Sequence, residues 1–236
     1  MLMRIRFLPN WFDPRSDRLA QGTRGRLNPD VRSKAQTGII CTALTILHDA
    51  WPDVLADSEF DPTLDEDSIT NILRKKMSAI KNRMTPVPKM RFEREAQSDA
   101  AEDDSPLGLI DIMVCYTWNE VTHLVIECKR ICSADNKLAL KYVRQGVCRF
   151  ASGKYSAGHA LGAMVGYVLC GNVKGCVDRI KTTLKNEPVS KTGYDAKYGW
   201  RNTKTVVKSK VVGRTRHTQK NHRYKITLMH TFVKVI

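Results

Sequence analysis

Three charged residues, Asp111, Glu127 and Lys129, lie inside two neighbouring apolar runs of the sequence. If residues 118–120 form a turn between two strands, Asp111 and Glu127 lie equally far from it and face one another. Directly opposed residues of a hairpin have Cβ atoms about 5 Å apart, and Lys129, two residues on, shares their face. The spacing therefore predicts that three charged groups converge, whereas a two-residue turn would separate the carboxylates onto opposite faces.

Two carboxylates on one face of a covered sheet repel each other and lose hydration unless a cation compensates them. Oxygen ligands with room for water and phosphate oxygens suit Mg²⁺ or Mn²⁺. A nearby lysine can orient or deprotonate an attacking water and offset phosphate charge. The alternative is a partly buried ion pair among the three residues, or a solvated hairpin edge.

Periodicity places these residues in one mixed α/β domain. Helical spacing predicts helices over 33–51, 65–84, 134–152 and 173–184. Alternation or short apolar runs predict strands over 90–95, 107–117, 121–131, 161–169, 205–212 and 224–235. The predicted organisation is an irregular N-terminal arm over 1–32 and a single domain over 33–236, with a core at about 65–184 and a basic segment over 185–236.

The 39 Lys and Arg residues exceed the 24 Asp and Glu residues, and the formal net charge is +15. This excess favours a polyanionic partner, most simply nucleic acid. An acidic membrane surface is the competing interpretation, but the sequence has no basic amphipathic helix or lipidation motif. Much of the charge falls in the C-terminal segment, where Tyr194, Tyr198, Trp200 and Tyr224 interleave it. We predict phosphate contacts for Lys204, Lys208, Lys210, Arg214 and Arg216 and aromatic stacking on bases or sugars; a solvated surface is the alternative.

The seven cysteines include no CxxC pair, and several lie inside apolar runs. We expect reduced core thiols in a cytoplasmic protein, since the cysteine and histidine spacings do not match standard zinc sites. No apolar run is long enough to span a membrane, and the start of the chain does not resemble a signal peptide.

Around Asp111, Glu127 and Lys129 the sequence resembles the PD-(D/E)XK nuclease superfamily, which has the restriction-endonuclease-like fold. The resemblance covers about residues 65–184, with an acidic residue on a helix before the sheet, an Asp in one strand and Glu-Cys-Lys in the next. It implies a central mixed β-sheet flanked by helices, here with a basic C-terminal β extension. Ile110 stands where the superfamily name places a proline.

The resemblance also implies roles for residues. Asp111, Glu127 and the carbonyl of Cys128 would hold Mg²⁺ or Mn²⁺, and Lys129 would be the catalytic lysine. Glu66 resembles a helix acid that some members add to the metal site, although it could instead only favour a helix N-terminus.

Two further positions are accessory candidates. Gln145 resembles the glutamine of the helix that follows the core strands. Some relatives have Gln-x3-Tyr there, whereas this chain has Arg149 four residues on; polarity of a core-facing helix is the alternative for Gln145. Glu95, with Glu93, could reach the site from the first strand or could face solvent.

The site residues and the resemblance together predict a Mg²⁺-dependent deoxyribonuclease, a phosphodiester hydrolase. In the superfamily that the sequence resembles, this often means a component of bacterial restriction, repair or anti-phage defence. DNA is favoured over RNA as the partner, and no membrane is expected. The alternative is a catalytically silent nucleic-acid-binding subunit of a larger complex. The sequence leaves open a homo-oligomer or a protein partner in a defence complex.

Overall fold

The computed structural model describes residues 29–94, 110–116, 123–155, 159–203, 207, 212–220 and 224–236. The strands are β1 Arg91–Glu93, β2 Ile112–Cys115, β3 His123–Cys132, β4 Leu161–Cys170, β5 Arg201–Thr203, β6 Val212–Thr218 and β7 Lys225–Lys234. They form one mixed sheet of seven strands in the order β1-β2-β3-β4-β7-β6-β5. The predicted α/β class, with a mixed sheet and flanking helices, is confirmed.

The helices are α1 Pro29–Leu55, α2 Glu66–Arg83, α3 Asn136–Lys141, a π-helix at Tyr142–Val147, α4 Cys148–Ala151, α5 Val173–Asn186 and α6 Val189–Thr192. One face of the sheet shares a hydrophobic core with α1 and α2, and the other with the π-helix and α5. Within the described ranges, no helix has the length and apolarity needed to cross a membrane.

The centre of the sheet is parallel, because β3, β4 and β7 run in the same direction. Their side chains are buried on both faces, as expected for strands covered by helices on each side. The β2–β3 hairpin pairs Ile112 with Ile126 and Val114 with Leu124. This is the register that a turn at 118–120 predicts, although those turn residues lie outside the described part of the chain.

Helix α1 differs from its predicted bounds at both ends. It begins at Pro29, so 29–32 are helical rather than part of an irregular arm, and it continues through Pro52 to Leu55. The Trp51 ring stacks on Tyr167 with centroids 5.7 Å apart, and its indole N–H donates to the Lys234 carbonyl at 2.7 Å. These contacts stabilise a helix end that contains a proline, a residue that costs about 3 kcal/mol in a helix interior.

Helix α2 has the expected start. The Asp65 carboxylate accepts a hydrogen bond from the Ser68 backbone N–H at 2.7 Å, which is an N-cap contact. Ile69, Leu73 and Met77 recur on one face and are fully buried. The cap and the buried face together fix the position of Glu66, the first helical residue.

The Cys132 and Cys170 sulfurs are bonded to each other, so the expectation of reduced thiols is wrong for this pair. The two residues are register partners near the ends of β3 and β4, with Cα atoms 4.9 Å apart. The spacing in sequence gave no sign of this proximity, because the pairing of distant strands creates it. The other five cysteines are not disulfide-bonded.

Candidate active site

The structure brings Asp111, Glu127 and Lys129 together beside the carboxyl end of β3. Asp111 lies directly before β2, and its Oδ2 accepts a hydrogen bond from the Cys128 backbone N–H at 2.7 Å. Glu127 is fully buried, and Asp111 and Lys129 are almost so. The hairpin register places these groups in contact, as the sequence predicted.

The Lys129 ammonium occupies the space between the acidic side chains. Its Nζ lies 2.8 Å from Glu127 Oε1, 3.7 Å from Asp111 Oδ2 and 2.5 Å from Glu66 Oε1. It also donates a hydrogen bond to the Cys128 carbonyl at 2.7 Å. Four oxygen atoms, from α2, from β3 and from the residue before β2, therefore surround one cation.

Glu66 reaches this cluster from the first turn of α2. Its second oxygen, Oε2, accepts a hydrogen bond from the Arg130 backbone N–H at 3.0 Å. The side chain thus links α2 to the end of β3, in addition to its favourable place at a helix N-terminus. The resemblance implied a place in the site for Glu66 and its helix position implied an N-terminal role; the structure supplies the contact that joins Glu66 to Lys129.

Burial and mutual repulsion govern protonation in the cluster. Burial, reinforced by the charge of Glu127, raises the pKa of Asp111 well above its usual range. Burial also raises the pKa of Glu127. Burial alone would lower the pKa of Lys129, but Glu127, Asp111 and Glu66 together outweigh it and raise that pKa. Lys129 is therefore a cation at neutral pH and acts as a hydrogen-bond donor in this arrangement.

Arg149 is a member of the cluster that sequence reasoning missed. Its Nη1 donates to Glu127 Oε1 at 2.7 Å and to the Tyr155 hydroxyl at 2.8 Å. The only sequence signal was its place four residues after the accessory candidate Gln145. Glu127 Oε1 consequently receives both Lys129 and Arg149, whereas its Oε2 is buried without a hydrogen-bond partner among the described residues.

A cleft of about 620 Å³ opens beside the cluster at the carboxyl ends of β3 and β4. Open α/β sheets commonly bind ligands at this end of their strands. Gln145 is exposed and lines the cleft with Glu66 and Lys129, so it shares the cavity with the cluster. The remaining lining residues are Arg130, Cys132, Asp135, Leu138, Lys141, Leu169 and Cys170.

The donor set suits a hard divalent cation, because the carboxylates and the Cys128 carbonyl offer oxygen atoms only. Glu127 Oε2, which has no hydrogen-bond partner in the described part of the chain, is an acceptor that such a cation would satisfy. Nevertheless, across the described ranges no group of three or more His, Cys, Asp or Glu side chains is arranged to hold a metal ion. In this arrangement the Lys129 ammonium is the cation that the oxygens contact.

The predicted phosphate contacts Arg214 and Arg216 lie elsewhere on the sheet. Across the strands, Arg214 is in one row with Met229, Ala163 and Ile126. Lys129 is an odd number of residues beyond Ile126, so its side chain leaves the opposite face. The structure therefore does not bring these arginines to the carboxylate cluster. Lys204, Lys208, Lys210 and Glu95 lie outside the described residues.

The interleaved aromatic residues are mostly unavailable for stacking on bases. Tyr194 is buried, and Trp200 packs on His230 with ring centroids 4.6 Å apart. The guanidinium groups of Arg201 and Arg216 each lie 4.2 Å from the centroid of the Tyr198 ring. Tyr224, by contrast, is exposed. The prediction of base stacking is therefore wrong for Tyr194, whose ring is inside the protein.

No protein-family model, no curated protein and no solved structure matches this chain. The functional inference consequently depends on the chemistry of the cluster and of the cleft beside it.

Proposed function

We propose that this protein is a metal-dependent nuclease of the PD-(D/E)XK type, with the restriction-endonuclease-like fold, and that it hydrolyses DNA phosphodiester bonds. One observation carries the proposal: Glu66, Asp111, Glu127 and Lys129 meet in a largely buried cluster at the edge of an open cleft, and one Glu127 oxygen has no partner among the described residues. A purely structural ion pair has no need of a cleft or of an unsatisfied acceptor.

Asp111, Glu127 and the Cys128 carbonyl, with Glu66, would hold Mg²⁺ or Mn²⁺. A bound divalent cation would supply a nucleophilic water and stabilise negative charge on the phosphate. The Lys129 ammonium donates toward the same oxygens, so it competes with the cation until it moves toward the substrate. There it would offset the charge that develops on the phosphoryl oxygens.

The cleft offers positive charge to a nucleic-acid strand. Arg130 and Lys141 line it beside Lys129, and Arg130 Nε is buried without a hydrogen-bond partner among the described residues. These groups suit phosphate oxygens, and Arg214 and Arg216 on the opposite face would contact a strand that extends beyond the cleft.

The second candidate is a nucleic-acid-binding subunit that has lost activity. The compensation of Glu127 by both Lys129 and Arg149 favours it, because a cluster that satisfies most of its own charges requires no metal. The lack of a ready three-ligand group in the described part of the chain points the same way.

Cleavage assays distinguish the two candidates. We expect wild type to cut supercoiled, linear or single-stranded DNA in the presence of Mg²⁺ or Mn²⁺ and not in the presence of EDTA. The same assay with RNA tests whether the substrate is DNA. Lys129→Met should reduce the cleavage rate by at least about 100-fold, because it removes a transition-state donor, and it should leave DNA affinity nearly unchanged. Lys185→Met, an exposed position on α5, is the matched control.

Thermal unfolding separates metal binding from cleavage. Mg²⁺ should raise the melting temperature of Lys129→Met more than that of wild type, because the competing ammonium is gone, and that of Asp111→Asn less. Absence of cleavage in wild type with every substrate and both metals, together with equal metal responses in the three proteins, would favour the silent subunit.

The proposed activity assigns the chain to the cytoplasm, where restriction, repair and defence enzymes meet DNA. A disulfide in that compartment is typically catalytic or redox-sensing. Alkylation and mass spectrometry of protein from intact cells would measure the oxidation state of Cys132 and Cys170.

A further inference from the structure

Arg149 approaches the cluster from the side of solvent. Glu127 has no exposed side-chain surface, whereas about a quarter of the Arg149 side chain, 26%, is exposed. The guanidinium lies over the Tyr155 ring, 5.5 Å from its centroid, and Nη1 donates to the Tyr155 hydroxyl. Two contacts with Tyr155 thus hold the guanidinium in the orientation in which it meets Glu127.

The two carboxylate oxygens of Glu127 have different hydrogen-bond partners. Oε1 accepts from Lys129 and Arg149 at 2.8 and 2.7 Å, and Oε2 has no partner among the described residues. If Lys129 moves toward a substrate, Arg149 remains on Oε1 and keeps the carboxylate from rotating. In metal sites, side chains that bind the metal are commonly held in orientation by hydrogen bonds from neighbouring residues.

The π-helix at Tyr142–Val147 sets this geometry. A π-helical turn holds more residues than an α-helical turn, so residues after it, Arg149 among them, are rotated relative to those before it. Gly146 lies within the π-helix, and a Cβ there would come within 3.5 Å of Lys129 Cγ and clash with the end of Met164. Because this helix packs close to the sheet, the Arg149 side chain can reach Glu127.

We propose that Arg149 is a positioning residue that fixes Glu127 through Oε1 and leaves Oε2 to the catalytic cation. The inference rests on the proposed nuclease function. It extends that function to Arg149, at a position where some members of the superfamily that the sequence resembles have a tyrosine. Tyr155 orients Arg149 in turn.

The test uses the full chain and measures Mg²⁺ binding separately from cleavage. Arg149→Ala should raise the Mg²⁺ concentration at half-maximal thermal stabilisation by about 10- to 100-fold, the range for loss of a group that orients a metal ligand. Added methylguanidinium should restore part of this affinity by occupying the vacated space. Arg149→Lys, which keeps a positive charge and more of the packing, should show a smaller shift.

Arg144→Ala is the matched control, because Arg144 lies in the same helical segment but pairs with Glu187. It should leave the Mg²⁺ midpoint unchanged and should not respond to methylguanidinium. An unchanged midpoint in both Arg149 variants, or a midpoint shift in Arg149→Ala that methylguanidinium does not reduce, overturns the positioning role while wild-type cleavage stands. If wild type neither binds Mg²⁺ nor cleaves DNA, the proposed nuclease function itself is wrong. This result differs from the one that refutes only the positioning role of Arg149.

Discussion

Acidification should destabilise this protein through a buried chain of hydrogen bonds between β6, β7 and the π-helix. His217 Nδ1–H donates to the Thr192 carbonyl at 2.7 Å, so Nε2 of the neutral ring accepts from the Thr215 hydroxyl at 2.7 Å. The Thr215 oxygen accepts from His230 Nε2–H at 2.7 Å, and His230 Nδ1 accepts from the Tyr142 hydroxyl at 2.9 Å. Every donor in this series of hydrogen bonds has an acceptor when both rings are neutral. Protonation of either ring would add a donor that has no acceptor.

Burial lowers the pKa of His217 to about 4 and the pKa of His230 well below its usual range. An unfolded histidine has a pKa of about 6.5, so the unfolded state binds more protons as the pH falls below that value. The stabilisation is therefore complete above pH 6.5 and is lost toward pH 4. His217 alone contributes about 1.4 kcal/mol per pH unit, or about 3 kcal/mol over this window.

Urea unfolding of wild type and His217→Gln at several pH values between about 7 and 4.5 measures this contribution. The free-energy difference between the two proteins should change by about 1.4 kcal/mol per pH unit, because the variant lacks one titrating ring. The comparison cancels the opposite contribution of the buried carboxylates. A difference that is constant with pH would refute the buried neutral assignment of His217.

Thr215→Val is the matched control for this experiment. It removes the hydroxyl between the two rings but leaves both histidines in place. It should reduce the free energy of unfolding by about 1–3 kcal/mol at pH 7, the cost of unsatisfied buried polar atoms, and retain the pH dependence.

Two further expectations concern the π-helix and the basic face. Gly146→Ala should reduce the free energy of unfolding by about 1 kcal/mol, because the new methyl group would displace the end of the Met164 side chain. It should also slow cleavage, because the displaced side chain lies beside Lys129. Urea unfolding and initial rates check this, and a fully active variant of unchanged stability would contradict it. Arg216→Ser should reduce the magnitude of the slope of log affinity against log salt for duplex DNA by about 0.9, because one phosphate contact is lost. The maximal cleavage rate should not change, because Arg216 lies away from the cluster. An unchanged slope in filter-binding titrations would assign Arg216 to packing on Tyr198 alone.

Local patterns in the sequence determined much of the fold. A turn at residues 118–120 predicted the hairpin register in which Asp111 and Glu127 face one another, and the observed pairing of Ile112 with Ile126 has that register. A slip of one residue would have put the two carboxylates on opposite faces. The acidic residues before Ile69 predicted where α2 begins, since a cap satisfies backbone N–H groups within the same turn. Both signals arise between residues close in sequence.

Contacts between distant residues decided the rest. Glu66 reaches Lys129 only because α2 packs beside β3, and Arg149 reaches Glu127 only because a π-helix changes the direction of the helix that carries it. The basic residues of β6 likewise have a face, opposite that of Lys129, only once the strand order is known. The sequence determines which groups are available and their local spacing. Their convergence depends on the burial of apolar surface across the whole sheet, which no local pattern encodes.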